Sequence, residues 1–150
     1  MDFFPNVEIN ALQAEAIARG LYGIAVVDGV HERELALISD FYHDAVSGEA
    51  PNAMASIERA GPLEPKELAQ QVEPAPLREL FVKAGFLLGW ADGKISPAER
   101  TKIAAFAKAL EVSDATVARL EAEVKDFLLR PFANLANIDA ATVIAKKLGV

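Results

Sequence analysis

Four carboxylates beside two Asp-Gly pairs hold most of the chemical potential in this sequence: Asp28 with Glu34, and Asp92 with Glu99. Carboxylate oxygens are hard ligands, and several of them brought together from two turns suit a divalent cation such as calcium, magnesium or manganese. His31 and Glu32 lie close enough along the chain to add ligands to the first group, and an imidazole there would extend the choice to a transition metal. Glu99 stands four residues before Ile103 and seven before Phe106, so it starts on the apolar stripe of its helix, and Glu34 stands the same way before Ile38 and Phe41. A carboxylate in such a place needs either a cation or a hydrogen-bonding duty. The second is available locally. Ser96-Pro97-Ala98-Glu99 reads as a capping box in which Glu99 reaches back to the Ser96 backbone N–H, and Asp92 can bond within its own turn. The first group has no Ser or Thr before Glu34 and has a competing Glu32. A full calcium loop is not expected: Asp92, Gly93, Ile95, Ser96 and Glu99 match loop positions 5, 6, 8, 9 and 12, but positions 1 and 3 fall on Leu88 and Trp90, which cannot ligate calcium. Any cation must therefore draw carboxylates from elsewhere, and the partner turn is the obvious source.

Other chemistries find little support. With no cysteine among 150 residues there is no thiolate nucleophile, no disulfide and no Cys-ligated zinc or iron–sulfur site. No Gly-x-Ser-x-Gly, paired Ser and Lys or glycine-rich phosphate loop occurs, and two carboxylates alone are too common to specify a hydrolysis, so a non-enzymatic protein is expected. A net charge of −7 argues against a general nucleic-acid binder. The charge is uneven: residues 1–75 carry 13 acids and 4 bases, residues 76–150 carry 9 acids and 11 bases. That field suits cations or a basic protein surface, so a metal-independent protein-interaction domain using its acidic first half stands as the alternative to cation binding. The opening residues lack a basic and apolar leader, and no apolar run approaches the ~20 residues of a membrane span, so no membrane insertion and a cytoplasmic setting are expected.

The elements that must position the carboxylates are helices. Alanine and leucine are abundant, with 28 and 16 occurrences, and no alternation long enough for a paired strand is present. Prolines at 5, 51, 62, 65, 74, 76, 97 and 131 punctuate the chain. The spacing predicts helices over 7–27, 32–46, 65–72, 76–91, 97–110, 114–129 and 139–148, an all-α bundle of about seven helices in one domain over 1–150. Residues 47–65 read as a long connection, a hinge with one helical turn near 53–59. Within 114–129, Glu121 is placed to face Lys125 at i, i+4.

The chain also repeats itself. Residues 21–29 (LYGIAVVDG) align at an offset of 64 with residues 85–93 (GFLLGWADG), and after the Asp-Gly pair the offset becomes 65, so that Glu34, Ile38 and Phe41 fall on Glu99, Ile103 and Phe106. The shared unit is helix, Asp-Gly turn, helix, giving two pseudo-symmetric halves at about 10–46 and 76–110 with a connector over 47–75. With the offset of 64 kept through the loop, His31 is set against Ile95, an apolar slot that predicts a packed histidine. Gly85 and Gly89 are expected to let the first helix cross closely, with Ala25 in the place of Gly89. Trp90 is expected at the core or its rim.

The segment 84–100 (AGFLLGWADGKISPAER), followed by a helix ending at Ala109-Leu110-Glu111-Val112-Ser113, resembles the Ala-Asp-Gly signature of the tellurite-resistance TerB-like proteins, a family that also supplies the N-terminal domain of a membrane-anchored co-chaperone. The first copy, 27–35, looks like a shortened version, and the resemblance extends over roughly 10–130. It implies an all-helical bundle of two pseudo-symmetric halves, a link to stress response, and metal binding by acidic residues at the turns, here Asp28, Glu34, Asp92 and Glu99. One residue is missing from the first loop, Val27 replaces the family's usual alanine, and no His-Pro-Asp tripeptide occurs, so co-chaperone activity is not implied.

Overall fold

The computed structural model describes residues 8–29, 31–45, 53–91 and 93–133. Among them are seven α-helices: α1 (Ala11–Ala25), α2 (Glu32–Ala45), α3 (Ala53–Ala60), α4 (Pro65–Gln71), α5 (Ala75–Gly89), α6 (Pro97–Ala109) and α7 (Asp114–Ala133), with a 3₁₀ turn at Val26–Asp28 after α1. No strand occurs among the described residues, and the class is all-α. The helix expected over 139–148 lies outside them.

Local signals explain most boundaries. α1 starts at Ala11 rather than residue 7 because Asn10 and Gln13 form a reciprocal capping box: Gln13 N–H donates to Asn10 Oδ1 at 2.8 Å, and Asn10 N–H donates to Gln13 Oε1 at 3.1 Å. α7 continues four residues past its expected end at 129, through Pro131, to Ala133. The larger difference lies in the connector. Residues 53–60 form a two-turn helix rather than a single turn, and Ile57, Leu63, Leu68 and Val72 are all fully buried. Guanidinium groups close the ends of these short helices. Arg19 donates to the carbonyls of Gly61 at 3.0 Å and Ala60 at 3.3 Å. Arg78 donates to Val72 at 2.8 Å, Ala69 at 2.9 Å and Leu110 at 3.0 Å, joining the ends of α4 and α6 to the start of α5. A helix end leaves carbonyls without partners, and a cation is favoured there by the helix dipole as well.

The repeat is visible in the elements themselves. α1 and α5 begin and end at positions 64 apart, and α2 and α6 begin 65 apart. α1 packs on α2 as α5 does on α6, α1 on α3 as α5 on α7, and the cross-contacts α1 on α6 and α5 on α2 exchange under the same swap, whereas the packing of α2 on α3 has no equal between α6 and α7. α4 has no counterpart and packs on both α1 and α6. Phe81 and Phe106, both fully buried, meet in the centre with ring centroids 4.9 Å apart and planes tilted by 56°. α1 comes close to Phe81 at Gly20, where an added Cβ would lie 2.7 Å from the ring. The expected glycine crossing holds for one residue of the pair: a Cβ on Gly85 would meet Ile24 of α1 at 3.1 Å, whereas one on Gly89 would meet Ile95 of the following turn at 2.7 Å. Among the described residues no helix is long and apolar enough to cross a membrane.

Candidate functional site: the two capped turns

In the first turn the 3₁₀ segment Val26–Asp28 runs into Gly29 at φ +93°, and α2 begins three residues later. In the second, Trp90 and Ala91 close α5, Gly93 donates its N–H to the Trp90 carbonyl at 2.9 Å, and its φ is also +93°. An L-residue with a side chain adopts that backbone only with strain, which accounts for glycine in both copies.

Each following helix is then capped from inside by a glutamate. Glu99, 6% exposed, accepts the Ser96 backbone N–H at Oε1 over 3.0 Å, while its own N–H donates to Ser96 Oγ at 3.1 Å. Glu34, 1% exposed, accepts the His31 backbone N–H at Oε1 over 3.1 Å. The capping duty of Glu99 is thus fully formed, and Glu34 performs the same duty without a Ser or Thr at the cap. The two bonds also fix the register of the repeat. His31 corresponds to Ser96, not to Ile95, and the residue missing from the first loop lies between Gly29 and His31. The histidine is accordingly exposed instead of packed, because the cap position faces solvent, while Ile95 folds half-buried over Gly89. Glu32 is exposed in the first turn of α2.

The structure therefore places Glu34, Glu99, His31 and Glu32, and the backbone of Asp28 at the end of the 3₁₀ turn. The Asp28 side chain and Asp92 lie outside the described residues. Among the described residues no three His, Asp or Glu side chains gather as a metal-holding group. The fold does bring the two turns to one end of the bundle. The 3₁₀ segment packs on α6, and Arg33 of α2 donates from Nη1 to the Ala91 carbonyl in the second turn at 3.4 Å. Val26 and Val27 are each 37% exposed there, and Val27 forms a shallow groove with Pro97, Ala98, Thr101, Lys102 and Ala105 of α6.

A second feature of this end is not expected from spacing. Glu121 of α7 receives a two-pronged bond from Arg100, at 2.9 and 2.6 Å, and a third from the Trp90 indole N–H at 3.1 Å. Lys125, placed at i, i+4 to face Glu121, adds its charge in favour of the Glu121 carboxylate and sets its ammonium 4.9 Å from the centroid of the Trp90 ring. The Arg100 bonds hold the Glu121 carboxyl below the usual carboxylate range, against the opposing effect of burial and with help from the indole donor, and the Arg100 guanidinium is raised in turn. α7 is thereby tied to the second turn. Trp90 could be singled out in the sequence; its partner 31 residues away could not.

Charge is also distributed unevenly over the folded surface. The ion pairs among the described residues are Arg78–Glu111, Lys83–Glu123, Arg100–Glu121, Lys102–Glu64 and Arg119 with Glu79 and Glu123, all from residue 64 onward. On α2, Glu32, Asp40 and Asp44 are exposed and make no ion pair among the described residues. Comparison of the chain with known protein families, with curated proteins and with solved structures gave no match in any of the three.

Proposed function

We propose that this chain is a non-enzymatic binding module of the TerB-like type that receives a basic segment of a protein partner on the acidic side formed by α2. The exposed carboxylates Glu32, Asp40 and Asp44, which make no ion pair among the described residues, carry this reading, because Glu79 of α5 and Glu121 and Glu123 of α7 are each answered by Arg or Lys. Like charges four residues apart, as at Asp40 and Asp44, disfavour a helix by about 0.2–0.5 kcal/mol, a small cost that a basic partner would reverse. The TerB-like assignment is supported by the segment 84–100 together with the contact pattern of two interchangeable helix pairs.

A second reading keeps a divalent cation of the calcium, magnesium or manganese type at the turns, with Asp92, Glu99, Asp28 and Glu34 as ligands. The nearness of the turns, joined by Arg33 to Ala91, favours it. Two features weigh against it: Oε1 of both glutamates already accepts a backbone N–H, and a guanidinium stands at the junction. Between the two readings the interaction module is preferred.

Calorimetric titration separates them. Chelator-treated protein is titrated with calcium, manganese and zinc beside Asp92→Asn, and separately with a Lys- and Arg-rich peptide at low and high salt beside the double variant Asp40→Asn, Asp44→Asn. Peptide binding that weakens with salt and in the double variant, and is indifferent to chelator, is the expected result. Saturable metal binding lost in Asp92→Asn, with no peptide binding, would replace it by the cation reading.

A further inference from the structure

We draw no further inference here: the strongest candidate, the shallow groove between Val27 and the exposed side of α6 lined by Pro97, Ala98, Thr101, Lys102 and Ala105, carries nothing because no feature of the structure shows what covers it.

Discussion

The first and second turns make the same helix-to-helix step with unequal means. Both use a glycine at φ +93° and a buried glutamate whose Oε1 accepts the backbone N–H of the cap residue. The second adds a Ser hydroxyl at the cap, Pro97 at the first helical position, Ile95 folded onto Gly89, and the Trp90–Glu121–Arg100 bonds to α7. The first has a shorter loop and an exposed histidine at the cap. Since both steps form with the same helix ends, the glycine and the buried glutamate are the minimum for the turn, and the additions of the second copy reinforce it.

Truncation of the equivalent core residues tests whether the two halves are packed equally well. Ile38 and Ile103 are both fully buried, so Ile38→Ala and Ile103→Ala should each cost about 2–5 kcal/mol in chemical denaturation. Two similar losses would show that the reinforcement is confined to the turn; a loss below about 1 kcal/mol for Ile38 alone would show a loosely packed first half.

Gly89→Ala probes an addition of the second copy. Its Cβ would stand 2.7 and 2.9 Å from Ile95 side-chain atoms, and displacing that side chain should cost about 1–3 kcal/mol. In a double-mutant cycle Ile95→Ala should recover part of the loss. If the two changes simply add, Ile95 is not what makes position 89 require glycine, and the comparison with Ala25 in the first copy needs another explanation.

The caps come next in size. Glu34→Ala and Glu99→Ala should each lower stability by about 1–2 kcal/mol, and Gln at either position should recover most of it by keeping the acceptor. Because the Glu34 N–H already donates to the His31 carbonyl at 3.0 Å, a serine hydroxyl at the cap has little left to satisfy, and His31→Ser should change stability by no more than about 0.5 kcal/mol. A destabilising His31→Ser would mean that the imidazole has a contact role of its own.

The smallest effect concerns pH. Glu121 has its carboxyl lowered in the folded state by Arg100, so its bonds stabilise the protein above the ordinary carboxylate pKa and that contribution is lost as pH falls through the depressed value. Because half of the Arg100 side chain is exposed, solvent screening holds the difference to about 0.5–1 kcal/mol. Denaturation midpoints measured from pH 7 down to pH 2 should fall more steeply in the unaltered protein than in Arg100→Met. Parallel curves would remove the α7 bonds from the list of reinforcements.

What could be read along the chain depends on range. Helix caps, turns and amphipathic stripes are decided within about four residues, and it is at this range that Ser96 and Glu99, Gly29 and Gly93, and the start of α6 were legible. The same reach misplaced His31, because an offset counted along the sequence does not reveal on which side of His31 the loop is shortened; the capping bond from His31 to Glu34 does. Asn10 and Gln13 carried an equally local signal, which marks the true start of α1.

By itself, then, the sequence determined an all-α chain with a repeated helix–turn–helix unit, left-handed glycines at both turns and a Ser–Glu cap, since each of these is a short-range matter of backbone sterics and hydrogen bonding. Tertiary structure alone decided that α3 extends to two turns and that the connector buries Ile57, Leu63, Leu68 and Val72, that Gly85 and Gly89 face different partners, that Glu121 takes its hydrogen bonds from Arg100 and Trp90, and that the two turns meet through Arg33 and Ala91. These are choices among partners distant in sequence, and they are made by close packing and by the need of buried polar groups for a hydrogen bond, neither of which residue spacing specifies.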